Sequence, residues 1–338
     1  MLACALVGMT LANLIMGDAF VSLTVTPQLA LKVIAKHLLP FSDRIGTLSV
    51  TVDTVVWEQR FPRALGAICV GGLLAMAGVA FQSFLQNPLA DPYTVGVSAG
   101  AALGSTLVIL MGGVGLLAGF AQPLAAFCAG LLATIAVYLL ARKDGRVSAQ
   151  TFLLAGIVVG MFLWSFIPLM LSLASRAKNL DRQSEILSQL LGNLQYLGWN
   201  RIALLVLFGT LGGGYLWASA RELNLMSFGE ESAAHLGVNI EAFKRKVILA
   251  GALATAAAVS TSGIVAFVGL VTPHIARRLV GADHRRLLPT AMLCGGLVLV
   301  TADWLSRVYL GNLEIGVITS LLVAPVFCYL LRRRLTGH

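Results

Sequence analysis

The sequence predicts an all-α, polytopic membrane protein of about ten spanning helices, forming one domain over residues 1–338. Three observations predict it. Of 338 residues, 58% are hydrophobic and only 12% charged. The mean hydropathy is +0.86. The apolar residues fall in charge-free windows, and a spanning helix needs about 20 such residues. Soluble domains carry about 25% charged residues, so an ordinary globular enzyme is excluded, as is a disordered or fibrous chain.

The windows are 1–17, 64–90, 92–141, 147–175, 202–220, 247–276, 287–302 and 315–331. Residues 1–17 lack a positive leader and a small-x-small cleavage site, so they read as a short first span rather than a signal peptide. The 92–141 window is too long for one helix. It breaks where Gly112, Gly113, Gly115, Gly119 and Pro123 gather. That makes nine spans. A tenth is hidden around 265–282, with His274, Arg277 and Arg278 at its lower end. Hydropathy alone does not separate nine from ten.

The net charge is 24 − 15 = +9. Its distribution reads as topology rather than nucleic-acid binding. With ten spans and both termini in the cytoplasm, 14 of the 24 Lys and Arg residues are cytoplasmic, in clusters at 142–146, 221, 244–246, 277–278, 285–286 and 332–334. The other ten (Lys32, Lys36, Arg44, Arg60, Arg63, Arg176, Lys178, Arg182, Arg201 and Arg307) face outward. Stripes of small residues, Ala67-Gly71-Ala75 and Ala250-Ala254-Ala258, mark close contacts between spans. Cys4, Cys69, Cys128, Cys294 and Cys328 sit in apolar stretches without ligand spacing and read as small hydrophobes.

Three segments resist the division into span and loop. In Arg60-Phe61-Pro62-Arg63, Pro62 suits a first helical turn. The two arginines either snorkel to lipid phosphate or form an ion-pair site for an acidic partner. In residues 86–92, QNPLADP, Asn-Pro initiates a turn and Asp91 stands at the positive start of the next helix. Residues 221–246 are polar yet patterned. Ser227 and Glu230 have capping-box spacing. A short helix would run to His235 or Leu236 and end at a left-handed Gly237. Asn239 would cap a second helix through Ile240, Phe243 and Lys244. Two short helices on the positive side read as a docking element for another protein; the alternative is a solvated loop.

Motifs for bond chemistry are missing. There is no P-loop, no HExxH and no GxSxG, so no catalytic residue, metal or cofactor is expected. His274 is either a proton relay or a hydrogen-bonded structural histidine. Asp303 and Arg307 stand at i, i+4 and can pair on one helix face, for function or as a structural bridge.

Taken together, the motifs resemble the permease subunit of FecCD-type ABC importers, which carry ferric siderophores, haem and vitamin B12. The resemblance covers about residues 55–333. It rests on RFPR at 60–63, GGLLAMAGVAFQ at 71–82, NPLADPYTVGVSAGAALG at 87–104, GEESAAHLGV at 229–238, SGIVAFVGLVTPHIARRLVGADHRRLLP at 262–289 and ADWLSR at 302–307. It implies a type II ABC importer permease fold of ten spans in the inner or plasma membrane of a bacterium or archaeon. It also implies a homodimer with a central path, two separate ATPase subunits below and a substrate-binding protein above. Gly229, Glu230, Glu231, Ala234, Leu236, Gly237 and Val238 match the family's coupling helices. Arg60 and Arg63, and more loosely Arg307, match residues that face acidic side chains of the binding protein. Gly78, Gln82, Asn87, Pro88, Gly96 and Gly100 are the expected lining of the path. The chain departs from the family pattern at Gln86, Glu314 and Val323.

The competing reading is an ion-coupled secondary transporter, with Asp303 as its one candidate intramembrane carboxylate. The expected cargo is an iron complex (ferric siderophore or haem) or cobalamin, with the iron complex preferred as the family's commonest substrate class.

Overall fold

The computed structural model describes residues 1–16, 25–38, 49–113, 116–176, 180–195 and 197–335. Arg44, Lys178 and the side chains of Arg332, Arg333 and Arg334 lie outside the described residues. Among the described residues the regular structure is helical apart from one small hairpin. The helices are α1 (Leu2–Ile15), α2 (Pro27–Leu38), α3 (Val50–Thr54), α4 (Phe61–Phe84), α5 (Val97–Leu110), α6 (Ala121–Ala141), α7 (Ala149–Arg176), α8 (Leu180–Leu191), α9 (Trp199–Ala218), α10 (Ala220–Met226), α11 (Glu230–His235), α12 (Ile240–Ser262), α13 (Val268–Val280), α14 (His284–Tyr309) and α15 (Ile315–Leu335). The hairpin strands are β1 (Arg142–Lys143) and β2 (Arg146–Val147).

Among the described residues, five helices are long and apolar enough to cross a membrane (α3–α4 as one continuous helix, α6, α7, α9 and α14), and α1, α5 and α15 are shorter apolar helices. α12 and α13 pack among them, a set consistent with about ten spans. The 92–141 window breaks as expected, with α5 closing at Leu110 and α6 opening at Ala121. The hidden span is α13, separated from α12 by a turn at 263–267. Gly263 has φ +69°, and a Cβ there would lie 2.1 Å from the Gln189 carbonyl oxygen, so only glycine fits this turn.

Other local expectations are refined. Pro62 does lie in the first turn of α4. A π turn, Val55–Arg60, joins α3 to α4 without a break in the helix. Asp91 caps a single 3-10 turn, Pro92–Val95, by accepting from Tyr93 N–H at 3.0 Å, and the long helix starts only after Gly96 at φ +84°. The β1–β2 turn carries positive φ at Asp144 and Gly145, the type I′ geometry that Asp-Gly favours.

α4 is the hub, packed against α9, α12, α13 and α14. The most apolar stretch of the continuous helix Val50–Phe84 is 83% buried, against 17% for that of α7. α7 therefore presents most of its surface to lipid or to another protein. Close backbone approach explains the small residues. A Cβ on Gly71 would lie 2.2 Å from Gly295 O, and one on Gly78 would lie 1.8 Å from Gly269 O. In lipid such approach replaces hydrophobic contrast as the source of packing energy.

α8 was not anticipated. It ends at Gly192, where Asn193 N–H donates to Ser262 O at 2.8 Å and Ile315 N–H donates to Gly192 O at 2.9 Å. These bonds stitch α8 to the α12–α13 turn and to the start of α15.

Candidate functional site

The site is built at one end of the bundle, where α9 leaves the membrane. α10 follows almost at once, and Gly229 at φ +100° swings the chain into α11. The expected capping box does not form: Ser227 Oγ donates back to Asn224 O at 2.6 Å and closes α10 instead. The other end of α11 is as expected. Val238 N–H donates to Ala233 O at 3.1 Å and Gly237 N–H to Ala234 O at 3.0 Å, with Gly237 at φ +88°. This is a Schellman stop. Asn239 Oδ1 accepts from Ala242 N–H at 3.1 Å. The helix it caps is the spanning α12, however, not a second short one. The two short helices are α10 and α11.

On α11 only Ala233 is buried, while Glu231, Ala234, His235, Leu236 and Gly237 are exposed. Phe228 and Leu236, flanking it, are 73% and 62% exposed. A cleft of about 380 Å³ separates this element from the start of α12, lined in part by Arg221, Leu225, Leu236, Phe243 and Lys246. An apolar pair on a polar projection is a surface shaped for a protein partner.

Two polar clusters hold the element rigid. Lys244 is buried, and its ammonium donates to Glu230 Oε2 at 2.7 Å, Glu241 Oε1 at 3.2 Å and Val147 O at 2.9 Å. Glu241 Oε2 accepts from Val147 N–H at 3.1 Å, so the hairpin joins the same knot. The Glu230 side chain, 48% exposed, is held in this knot, and Glu231 stands exposed beside it.

The second cluster ties α10 to the bundle. Asn224 Oδ1 accepts from His284 N–H at 2.8 Å and from His284 Nδ1 at 2.7 Å. Asn224 Nδ2 donates to Asp283 Oδ1 at 2.7 Å. Because an amide oxygen only accepts, His284 carries its proton on Nδ1. Its Nε2 then accepts from the Ser83 hydroxyl at 2.5 Å. Gln86 Nε2 donates to Met226 O at 2.8 Å. α10 is thus bonded to the end of α4 and the start of α14. Hydrogen bonds from Asn224 and from Arg285 N–H hold the Asp283 carboxyl below its ordinary pKa.

At the opposite end of α4, Arg60, Arg63 and Arg307 cluster as the sequence suggested, but they are only 3%, 8% and 2% exposed. Arg63 Nε donates to Asp303 Oδ1 at 2.6 Å and Arg63 NH1 to Asn312 Oδ1 at 3.0 Å. Asn13 Nδ2 donates to Asp303 Oδ2 at 3.1 Å, and Arg307 NH2 donates to Asn13 Oδ1 at 2.8 Å. Arg60 NH1 donates to Leu14 O at 3.0 Å. This corrects two expectations. Asp303 pairs with Arg63 on another helix rather than with Arg307 one turn away. The three arginines bind α1, α4 and α14 together from within instead of standing open on a surface.

The residues expected to line a path make contacts within the chain. Gly78 meets Gly269, and Gly100 packs where a Cβ would lie 2.4 Å from Ala129 O. Gln82 donates to Leu270 O at 3.0 Å and accepts from Arg277 at 2.7 Å. Pro88 O accepts from His274 Nε2 at 2.9 Å, a structural bond for this histidine. Asn87 Oδ1 accepts from Leu89 N–H at 2.9 Å within its own turn. Gly96 supplies the left-handed start of α5. Of the six, Gln82 and Pro88 line a common cleft of about 290 Å³, with Ser83, Gln86, Arg277 and His284.

A profile of the FecCD transport family matches residues 5–333. The chain belongs to the FecCD transport family. It is 40% identical over 301 residues to the uncharacterized ABC transporter permease protein YvrB of Bacillus subtilis (strain 168), covering 88% of this chain and 84% of that one. It is 38% identical to the cobalamin import system permease protein BtuC of Halobacterium salinarum (84% and 75% covered) and 38% identical to the hemin transport system permease protein HmuU of Yersinia pestis (87% and 91% covered). A solved ABC transporter in an inward-facing conformation superposes with a TM-score of 0.80 at 27% identity, covering 98% of this chain and 97% of the other. The architecture is that of a type II ABC importer permease, and the chain is a multi-pass membrane protein.

Within this FecCD chain, sequence reasoning missed Asn224, Asp283, His284 and Gln86, the residues that fasten α10. The signal was faint. Asn224 is a lone amide within the helical run 220–226, and Asp283 precedes α14 as an N-cap whose side chain accepts from Arg285 N–H at 3.1 Å.

Proposed function

We propose that this chain is the membrane-spanning permease subunit of an ATP-driven importer. Two copies assemble around a central path. Each copy seats one separate ATPase subunit on its α10–α11 element, through Gly229, Glu231, Ala234, Leu236, Gly237 and Val238. Glu230 holds the element's shape. The α11 end faces the cytoplasm, and so do both chain termini. The end that carries Arg63 and Asp303 receives a substrate-binding protein, and Arg60, Arg63 and Arg307 brace that receiving surface. The cargo is an iron complex, ferric siderophore or haem, or cobalamin, a range supported by the names of the relatives.

The observation that carries the reading is the Asn224 cluster. α10, which leads directly into the exposed α11, is bonded to the end of α4 and the start of α14, and α4 is the hub of the bundle. Closure of the ATPases on ATP would push α11 and tilt α4 and α14 as rigid bodies between two states. The permease performs no bond chemistry in this scheme. Because the expected lining residues are used within the chain, the path is assigned to the seam between copies.

The test is gentle detergent extraction with mass spectrometry of what co-purifies, joined to uptake in vesicles. Recovery of an ATPase in equal amount, with uptake that needs ATP, is the expected result. Recovery of this chain alone, with uptake driven by an ion gradient, would replace the proposal with the ion-coupled transporter. No observation favours that second reading: both oxygens of Asp303 are engaged, by Arg63 and by Asn13.

A further inference from the structure

A furrow of about 90 Å³ lies between α6 and α12 near the α11 end, lined by Thr134, Ile135, Tyr138, Arg245, Ile248 and Leu249. α6 runs toward this end and closes at Ala141, while α12 starts here at Ile240. Tyr138 and Arg245 therefore stand at the mouth, with Ile135, Ile248 and Leu249 about one turn deeper. Thr134 turns its hydroxyl back to Gly130 O at 3.1 Å, which leaves the floor apolar. The Arg245 guanidinium and the Tyr138 hydroxyl make no hydrogen bond or ion pair among the described residues.

Arg142 is exposed directly after α6 closes, one turn past Tyr138. Lys143 and Arg146 line a separate cleft with Ser148 and Thr151, and Lys246 lines the cleft beside α10 and α11. The hairpin is held against α12 by the bonds of Val147 to Glu241 and Lys244. That bonding also uses up Glu241, which leaves Asp144 as the nearby hairpin acid. The fold thus sets Tyr138 and Arg245, from two distant stretches of sequence, at the mouth of an apolar furrow between two helices.

We propose that this furrow holds an anionic phospholipid. Its phosphate diester would meet Arg245 and the Tyr138 hydroxyl, and one acyl chain would run inward over Ile135, Ile248 and Leu249. Basic pockets between spanning helices recognise anionic headgroups in this manner. A free phosphate has no use for the apolar floor, and a neutral lipid has none for the Arg245 guanidinium. The furrow opens onto lipid-facing positions, since Leu132, Leu139 and Leu140 on α6 are exposed.

The experiment is native mass spectrometry of the purified full chain in its assembled form, after exchange into detergent with equal phosphatidylglycerol and phosphatidylcholine. Retention of phosphatidylglycerol over phosphatidylcholine by at least about fivefold is expected. Arg245→Gln should lower that retention about fivefold. Leu249→Trp should lower it with every charge intact, by filling the floor. Both variants should keep the parent's thermal midpoint. Equal retention of the two lipids, or retention untouched by both variants, overturns the proposal. So does competition by glycerol phosphate as effective as that by the lipid, which would mark a site for a soluble anion. A disulfide between two copies through Leu249→Cys would give the furrow to a second subunit and overturn it too.

Discussion

Glu230 and Lys244 close the seam between α11 and α12: the ammonium, 3% exposed, lies 2.7 Å from the carboxylate. Glu231, the next residue, stands on the exposed face of the same helix. The two adjacent acids therefore have separable roles. Glu231→Lys should leave stability within about 0.5 kcal/mol, as for other exposed sites, while reducing recovery of the ATPase subunit. Glu230→Lys sets a second ammonium against a buried one and should cost about 1–3 kcal/mol. Thermal unfolding and co-purification, measured on both variants, separate the effects. Loss of ATPase from neither variant would remove α11 from the docking surface.

Asp303 and Arg63 form a buried pair across α14 and α4. Removing one partner strands the other, at about 3–5 kcal/mol. Asp303→Ala should therefore lower the unfolding midpoint steeply. The double variant Arg63→Met, Asp303→Leu should be milder than the sum of its two single changes. A double-mutant cycle checks this, and strict additivity would mean that the pair is not coupled.

Gly78 leaves no room between α4 and α13. A methyl group there would overlap the Gly269 carbonyl, so Gly78→Ala must push the helices apart, at about 1–3 kcal/mol. Gly214→Ala is the control. It lies on an exposed face of α9 with nothing within 4 Å, and should be neutral or stabilising by up to about 1 kcal/mol. Equal behaviour of the two variants in thermal unfolding would contradict the close contact.

The Asn224 cluster makes the seat of α10 sensitive to acid. The Asp283 carboxyl is held below its ordinary pKa in the folded chain by Asn224 and Arg285 N–H. A depressed folded pKa contributes stability that is present above the unfolded value, about 3.9, and is lost as pH falls through the folded one. The thermal midpoint should therefore drop in this acid range, and Asp283→Asn should flatten the slope. A parent and variant with the same slope would show that this carboxylate does not fasten the helix.

Much of the local structure was legible without coordinates. The break between α5 and α6, the stop of α11 at Gly237 and the cap of α12 by Asn239 depend on chemistry within a few residues of each point. The Ser227 cap failed on the same scale, because its hydroxyl found the nearer Asn224 carbonyl of the preceding helix. α8 was missed because it is amphipathic rather than uniformly apolar and is too short to span.

The sequence by itself determined that this chain belongs in a membrane, that eight apolar windows supply at least nine spans, and which family it resembles. Those facts rest on summed hydropathy and on motifs read in order. Only the tertiary structure decided which face of each helix is buried. It paired Arg63 with Asp303 and Lys244 with Glu230, turned Gly78 and Gln82 into contacts within the chain, and set Tyr138 and Arg245 at one furrow. The physical reason is the solvent. In water a helix advertises its buried face by contrast with a polar one. In lipid both faces are apolar, and which one meets protein is settled by close approach and hydrogen bonds between residues far apart in the chain.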